Sequence, residues 1–487
     1  MTAIPLHVAV PEGTAPYWRD LLVRSGLPVG DLGNGDLRGA TVFLPDAAGL
    51  SSPALRALVA SLRAAGCPLL LGPAWARALD VPLAATGGLG MGLRACDGTW
   101  LLANGPVVAL PLPAAERLLR PAARLTTWRG PPGLTAREVV AVADHGGVRR
   151  CVTAALRWLA FAAGRPFARL GHAPLAYDGV LAFRIDADDH RGSATAAVLA
   201  DLAAAGQRAT WFIDVGRHVA RGGLPSLATI AAHGHEIESH GYRHYTYRTS
   251  ARNRDNVQRS LEVLADNGYP ATAVAAPFGS WNRGFDAAVR ECGLRWSSEF
   301  SRVYDDVPGA FGDASAPWQV PVHPVCPALL FGNGADAAGV TAWFAAELAD
   351  CLSRGEPAVF YGHPIGDLER CPGLPQRLVA QARQSVRSLW QPTLGELHDF
   401  HRARASATCE VRWNGTEVRG GVDGPAPLRI DSAGADPVVV SGDFAVRVAV
   451  PATDVLVPTP YRPRAVRHDR WRTHRLQLAR LWREVRS

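Results

Sequence analysis

The sequence predicts an α/β protein whose central part is a distorted (β/α) barrel. Short apolar runs alternate with helical stretches over residues 173–404, and roughly seven of the runs are typical of strands. Several of these runs end in polar residues, as in "GVLAFRID" and "PAVFYGH". In barrels of this kind the reactive side chains collect at the carboxyl ends of the strands. The whole chain has 487 residues, which is too long for one core and predicts about two to four domains.

Two other patterns flank the predicted barrel. Residues 1–165 contain the runs "LHVAV", "ATVFLP" and "PLLLG" between helical stretches, which predicts a separate α/β domain with a largely parallel sheet. Neither a phosphate-binding loop nor a nucleophile elbow occurs there, so the role of this domain is not readable from its sequence. Residues 405–460 contain short strand-like runs and an Asn-Gly turn, which predict a small β domain. Residues 461–487 form an Arg-rich segment, predicted to be an amphipathic helix.

The net charge of the chain is concentrated in that last segment. Residues 462–487 hold nine arginines against Asp469 and Glu484, a surplus of seven that equals the +7 of the whole chain. The neutral body gives no support for a nucleic-acid partner. The apolar stripe of the predicted helix suits contact with an anionic membrane surface or docking onto the protein itself, and consists of Leu478, Leu481, Trp482 and Val485.

The N-terminal sequence and the cysteines bear on the compartment. The chain starts without a basic segment followed by a long apolar one, and no apolar stretch approaches the length of a membrane span. The eight cysteines form no CxxC pair, which favours free thiols in a reducing compartment. We therefore expect a cytoplasmic protein, with peripheral membrane contact through the C-terminal helix as a further possibility.

The stretch "RIDADDHRG", residues 184–192, gathers charged side chains behind an apolar run. Side chains alternate between the two faces of a strand, so Arg184, Asp186 and Asp188 should point the same way. Asp189 should then face away unless the strand bends. Taken alone, the stretch is typical of a solvated acidic turn.

A second stretch, "HGYRH", places His240 and His244 four residues apart. On one helical turn the two imidazoles would share a side and could bind one metal ion, although two surface histidines would give the same pattern. Two His and one Asp are a recurrent ligand set for a catalytic divalent metal with open positions.

Together these stretches resemble a known family. "RIDAD", "ATWFID", "GHEIESHGYRH", "APFGSWN", "RWSSEF" and "VFYGHP" follow the order of the motifs of NodB-homology polysaccharide deacetylases, the family-four-like carbohydrate esterases that remove N- or O-acyl groups from sugars. The resemblance covers about residues 175–400 and implies a NodB-type barrel. "FRIDADDHRGS" also resembles the branch that deformylates a lipid-linked formamido-arabinose.

The resemblance implies a role for each matching residue. Asp186 would be the general base, and His363 the general acid that protonates the leaving amine. Asp188, His240 and His244 would be the ligands of a divalent metal, with zinc first and cobalt, nickel or manganese as alternatives.

Two departures from the family pattern leave alternatives open. The arginine that usually pairs with the base is replaced by Ala275 or Ala276, and Arg184 is either its substitute or an ordinary strand-end arginine. Asp189 rather than Asp188 is the ligand if the adjacent pair follows the commoner pattern.

Four further residues are weaker candidates for substrate contact. Phe278 and Trp281 could form a wall on which a sugar stacks, Glu299 could support the site, and His323 could line the pocket at a strand end.

These residues predict a metal-dependent enzyme that hydrolyses an N-acyl group, N-acetyl first, on an amino sugar of a glycan or of a lipid-linked or nucleotide-linked precursor. One alternative is a deformylase or other amide hydrolase on a lipid-linked or small substrate. The other is an inactive glycan-binding or scaffold protein with the same fold.

Overall fold

The structure, a computed structural model, describes residues 3–33, 37, 39–81, 107–110, 112, 114–131, 133–312, 316–432 and 435–448, and the backbone of 467–469. The N-terminal part contains β1 (Ile4–Pro5), β2 (Val8–Val10), α1 (Pro16–Arg24), β3 (Val29–Asp31), β4 (Thr41–Leu44), α2 (Pro53–Ala64), β5 (Leu69–Leu71), α3 (Pro73–Ala78), β6 (Val107–Ala109), α4 (Ala115–Leu118), β7 (Ala123–Gly130), β8 (Leu134–Ala141) and α5 (His145–Ala162).

Five of these strands form a parallel sheet in the order β3-β2-β4-β5-β6. Its inner strands β2, β4 and β5 are buried throughout, which explains why they are apolar at almost every position rather than at alternate ones. The parallel N-terminal sheet that the strand–helix alternation predicts is therefore present. β7 and β8 form a separate antiparallel hairpin.

The central part alternates strands and helices. It contains β9 (Phe167–Leu170), β10 (Gly179–Ala187), α6 (Gly192–Ala205), β11 (Ala209–Ile213), α7 (Val215–Ala220), α8 (Ser226–Ala232), β12 (Glu236–Ser239), α9 (Ser250–Asp266), β13 (Ala273–Val274), α10 (Arg283–Glu291), β14 (Trp296–Ser297), β15 (Trp318–Gln319), α11 (Pro327–Gly332), α12 (Ala337–Arg354), β16 (Ala358–Gly362), α13 (Leu374–Ser385), β17 (Leu389–Trp390) and α14 (Leu394–Ala405), with short 3-10 helices at Pro277–Gly279 and Leu368–Arg370.

Seven of these strands pair in parallel in the order β15-β14-β13-β12-β11-β10-β16, and β17 also pairs with β10. The His323 N–H donates to the Val359 carbonyl at 2.8 Å, so the segment after β15 meets β16 at the other end of the sheet. The predicted distorted (β/α) barrel is confirmed. β10 lies between β11 and β16, and all nine of its residues are buried.

The C-terminal part contains β18 (Thr408–Trp413), β19 (Glu417–Asp423), β20 (Leu428–Asp431), β21 (Val438–Val440), β22 (Gly442–Arg447) and β23 (Arg467–Asp469). These strands pair with strands from earlier in the chain: β1 with β18, β9 with β20 and β7 with β23. The predicted β region is therefore present, and its strands pair with strands that lie before and after the N-terminal sheet in the chain. The boundaries of the four predicted domains stay a prediction.

The predicted C-terminal helix needs a correction. Residues 467–469 form β23 and not a helical turn, because they pair with β7. The rest of 461–487, including the proposed apolar stripe, lies outside the described residues. Among the helices that the structure describes, none is long and apolar enough to cross a membrane.

Buried ion pairs join the N-terminal helices to the barrel. Asp306 accepts from Arg24 of α1 and from Arg149 of α5, each at 2.6 Å. Arg149 also donates to Glu356, which precedes β16, at 2.5 Å. The N-terminal part and the barrel therefore share a charged core.

Candidate active site

The carboxyl end of β10 carries the first pair of site residues. The Arg184 Nε and Nη2 atoms donate to the two carboxylate oxygens of Asp186 at 2.6 and 2.7 Å. Arg184 is fully buried, and Asp186 is 3% exposed. The two side chains thus point the same way, as strand alternation predicts.

The Arg184 guanidinium is held from its other side by the residue after β14. Its Nη1 donates to the Ser298 carbonyl at 2.7 Å and lies 3.1 Å from the Ser298 hydroxyl. Burial lowers the pKa of Arg184, but the Asp186 carboxylate raises it overall, so Arg184 is a cation here. Asp186 therefore has a cationic partner in Arg184, although alanine stands at positions 275 and 276, where the family pattern has the arginine that pairs with the base.

Three candidate metal ligands converge above this pair. The Asp188 Oδ1 atom lies 3.2 Å from His240 Nε2 and 3.1 Å from His244 Nε2. His240 directly follows β12, and His244 lies in the loop beyond it. Their ligand atoms all lie within 4.8 Å of one another. The structure thus brings together the three residues that the family resemblance proposed as ligands.

The chemistry of this donor set fits a divalent cation. The Nδ1 of His240 donates to the Ala275 carbonyl at 2.8 Å, which leaves Nε2 as the lone-pair atom that faces Asp188. Within the described part of the chain, Asp188 Oδ1 and His244 Nε2 are buried atoms without a hydrogen-bond partner. Burial raises the pKa of Asp188, but the adjacent His240 and His244 rings outweigh it and hold the pKa well below its usual range. An ionised carboxylate and two imidazoles suit Zn²⁺ or a similar metal.

Asp189 takes a different direction from Asp188. Its Oδ1 accepts from the His190 backbone N–H at 2.8 Å and lies 3.5 Å from the Arg221 guanidinium. Because Asp188 alone of the two reaches the histidines, the geometry favours Asp188 as the ligand.

His363, which follows β16, lies near the second carboxylate oxygen of Asp188, the one that does not face His240 and His244. Its Nε2 is 3.8 Å from Asp188 Oδ2, and its Nδ1 donates to Asp367 Oδ2 at 2.8 Å. Burial lowers the pKa of His363, but the Asp367 carboxylate raises it well above its ordinary value. Sequence reasoning missed Asp367, whose signal is a carboxylate four residues after the histidine in "GHPIGD".

The two aromatic candidates differ in their placement. The Phe278 ring packs edge-on against the His244 ring with centroids 4.7 Å apart, and Phe278 is 48% exposed. Trp281 instead donates from its indole to Asp286 at 3.4 Å and lies beneath the Arg302 guanidinium. Phe278 is therefore at the site, whereas the Trp281 ring contacts Asp286 of α10 and Arg302.

Glu299 and His323 need correcting as substrate contacts. Glu299 is 1% exposed and accepts from the backbone N–H of Ser298, the residue that holds Arg184, at 3.1 Å, so it supports the Arg184 side of the site from within the core. The Nδ1 of His323 bonds to Asp305 at 2.9 Å, and its Nε2 accepts from the Trp343 indole at 3.1 Å. Both ring nitrogens of this 4% exposed residue are engaged, so it does not line the pocket.

Comparison with known solved structures gives distant matches to the barrel. A protein described as a polysaccharide deacetylase from Mycobacterium smegmatis is 21% identical over 48% of this chain and 94% of its own, with a TM-score of 0.39. A family 4 carbohydrate esterase from Streptomyces lividans is 16% identical over 44% and 92%, with a TM-score of 0.32. A family 4 acetyl xylan esterase from Clostridium thermocellum, solved with a cobalt ion, is 15% identical over 45% and 90%, with a TM-score of 0.33.

Sequence comparison matches part of the barrel to a family model. A search of curated proteins gives no match. The family model described as polysaccharide deacetylase matches residues 181–297, from β10 to the end of β14. The closer resemblance to the formamido-arabinose branch stays a prediction. The matched segment carries Arg184, Asp186, Asp188, His240 and His244, so these five residues lie in a stretch of the chain that is similar to polysaccharide deacetylases.

Proposed function

We propose that the protein is a metal-dependent hydrolase that removes an N-acyl group, N-acetyl first, from an amino sugar of a glycan or glycoconjugate precursor. The convergence of Asp188, His240 and His244 within 4.8 Å at the barrel strand ends carries this proposal. Asp186, paired with Arg184, lies on β10 two residues before Asp188, and the His363 Nε2 lies 3.8 Å from Asp188 Oδ2.

Asp188, His240 and His244 would hold the divalent cation. When bound, such a cation polarises an acyl carbonyl and makes a water molecule more acidic. Asp186 is the base that accepts the proton of the attacking water. Its bidentate pairing with Arg184 fixes the direction of the carboxylate.

His363 supplies the proton that the leaving amine needs. Its Nδ1–H is held by Asp367, so its Nε2 faces the space beside Asp188. Asp367 also accepts from the His363 backbone N–H at 2.7 Å, which fixes both the ring and the chain at this point. The Nε2 atom of His363 can therefore deliver a proton to the leaving amine nitrogen, which is bonded to the acyl carbon.

Arginines at the rim support a substrate that carries phosphate. Arg217 of α7 donates to the Asp188 carbonyl at 3.2 Å and is 51% exposed at its side chain. Arg221 lies beside Asp189 with its side chain 65% exposed. Arg217 borders the proposed metal ligand and Arg221 borders the next residue, which favours nucleotide-linked or lipid-linked amino sugars over neutral polymers.

The test measures acetate and formate release by metal-free protein and by protein reloaded with Zn²⁺, Co²⁺, Ni²⁺ or Mn²⁺. The substrates are N-acetyl and N-formyl amino sugars, each offered free, nucleotide-linked and lipid-linked. We expect acetate release that depends on metal and is lost in H240A/H244A. His233→Ala changes an exposed histidine after α8 and should keep full activity.

Three outcomes would count against the proposal. Formate release without acetate release would favour the deformylase alternative. Turnover that survives metal removal would exclude metal dependence. Release of neither acid by metal-loaded protein, together with glycan binding, would identify a scaffold protein.

A further inference from the structure

A buried thiol lies on the far side of the candidate general acid. Cys326, just before α11, is 3% exposed and unpaired. Its Sγ, a ring nitrogen of His363 and a carboxylate oxygen of Asp367 all lie within 4.8 Å of one another. Asp367 is fully buried, and the His363 side chain is 24% exposed. Three metal-binding donor types therefore meet in one small space, and one of them, the Cys326 thiol, has no role in the proposed reaction.

We propose that Cys326, His363 and Asp367 form a second, inhibitory site for a thiophilic divalent ion such as Zn²⁺ or Cd²⁺. Thiolate, imidazole and carboxylate are the three side-chain donors that Zn²⁺ prefers. In tetrahedral coordination such donors lie roughly 3.3–3.8 Å apart, which small side-chain movements can reach from the present separations.

This site is distinct from the one at Asp188. The two nitrogens of the His363 ring face opposite ways: Nε2 looks towards Asp188 at 3.8 Å and Nδ1 towards Asp367 at 2.8 Å. An ion on the Nδ1 side takes the place of the Nδ1 proton, the Cys326 thiol gives up a second proton, and both protons pass to the solvent. Binding of an ion at this second site thus needs none of the three residues, Asp188, His240 and His244, that would hold the first ion.

The inhibitory effect rests on the proposed function. An imidazole coordinated through Nδ1 cannot become the imidazolium that protonates the leaving amine, and Asp367 is then taken up by the ion. Soft ligands select among metals, because thiolate binds Zn²⁺ and Cd²⁺ well and Mn²⁺ poorly. We therefore expect excess Zn²⁺ or Cd²⁺ to inhibit turnover, and excess Mn²⁺ to leave it unchanged.

Cys371 provides a matched control. It is also fully buried and unpaired, but its Sγ contacts Thr341 at 3.9 Å and the Arg377 guanidinium at 3.5 Å. A neighbouring cation disfavours a second cation, so C371S should bind metals as the unmodified protein does.

The test is a Cd²⁺ titration of full-length protein, read by the ultraviolet thiolate-to-cadmium band and by bound cadmium per chain. We expect two ions and the band in wild type and C371S, one ion without the band in C326S, and one ion with the band in H240A/H244A. A band that persists in C326S and C326A, or no band in wild type, would overturn the site. Should either Cys326 variant fail to fold, H240A/H244A still tests for a thiolate site apart from Asp188, because a single bound cadmium without the band in that variant would overturn the proposal.

Turnover then tests inhibition separately. Zn²⁺ should inhibit C326S only at concentrations at least about tenfold higher than those that inhibit wild type and C371S. Equal inhibition of all three proteins would contradict the inhibitory role. Because cadmium binding is measured without substrate, loss of the proposed hydrolase function would leave the binding result readable.

Discussion

At the scale of single residues, Arg184 is the side chain on which Asp186 depends. Replacing Arg184 by Met would leave a carboxylate that is 3% exposed without its cation. We expect the free energy of unfolding to fall by about 3–5 kcal/mol. The rate constant for deacylation should fall about 100-fold or more, because the base loses its fixed direction. Urea unfolding and acetate release measure the two effects.

Arg387→Met is the matched control for this variant. Arg387 pairs with Asp178 at 3.5 Å, but its side chain is 94% exposed, so the pair contributes little. The control should unfold and turn over as wild type does. Full activity in R184M would show that Arg184 is an ordinary strand-end arginine.

Asp367 governs the proton of His363. Asp367→Asn removes the carboxylate that raises the pKa of that ring. The His363 ring then loses its proton at a lower pH, so the basic limb of the pH profile of kcat should move to lower pH. The value of kcat should also fall about 100-fold. An unmoved basic limb in D367N would exclude His363 as the titrating acid.

The partner of Asp186 could be predicted from the sequence, whereas the partners of His363 could not. Arg184 and Asp186 share a strand face, and the two-residue period of a strand brings them together without knowledge of the fold. Asp367 follows His363 in an irregular segment, where spacing does not set direction. Cys326 is 37 residues before His363, and only barrel closure brings the two together.

At the scale of elements, the short 3-10 helix Pro277–Gly279 presents Phe278 beside His244. Phe278 has φ 59° and ψ 20°, in the left-handed region that non-glycine residues rarely adopt. Such backbone costs about 1–3 kcal/mol and occurs where function requires a fixed side chain. Phe278→Gly should therefore leave the free energy of unfolding equal or higher, while KM rises roughly three- to tenfold through lost sugar stacking.

Steady-state kinetics and urea unfolding on the same preparation check this prediction. Tyr177→Ala removes a partly exposed aromatic that stacks on Trp390 and should leave KM unchanged. A lower stability with unchanged KM in F278G would mean that Phe278 serves packing alone.

The apolar runs predicted the barrel strands, but they did not predict whether each strand-end side chain faces the pocket or the core. His323 lies in a strand-like run and is one of the weaker candidates for lining the pocket. The structure turns it into the core, with ring centroids 6.2 Å from Phe344 and 6.1 Å from Phe360, because its segment pairs with β16 where the barrel closes. Closure is a tertiary contact that local sequence does not encode.

At the scale of the whole molecule, a histidine pair lies where the N-terminal, barrel and C-terminal parts meet. His172 follows β9, His401 lies on α14, and their rings stack with centroids 5.5 Å apart. In the part of the chain that the structure describes, none of their four ring nitrogens has a hydrogen-bond partner. Burial and neighbouring Arg404 and Arg149 hold both pKa values well below the ordinary value.

This pair should make the fold sensitive to acid. Both rings are neutral in the folded and unfolded chain above pH 6.5, but below it only the unfolded chain takes up protons. Stability should therefore fall with decreasing pH, by at most about 1.4 kcal/mol per histidine for each pH unit. H172L/H401L should lose less stability than wild type in urea unfolding between pH 7.5 and 5.

His233→Leu is the control, because that histidine is exposed and should leave the acid response unchanged. An identical pH dependence in H172L/H401L and wild type would show that other buried histidines account for the acid response.

The arrangement of the whole chain was less predictable than its parts. The separate α/β, barrel and β patterns were each readable, because each has its own hydrophobic period. The pairing of β1 with β18 joins Ile4 to Trp413, a contact that no local pattern indicates. The role that residues 1–165 play beside the barrel also remains outside sequence reasoning.

The most direct test of the central claim is anomalous diffraction from crystals of the protein loaded with Zn²⁺. We predict a peak about 2.0–2.3 Å from one Asp188 carboxylate oxygen and the Nε2 atoms of His240 and His244. A peak bound to Asp189 would overturn the ligand assignment, and the absence of any peak between the two histidines would contradict the account of this site as a metal centre.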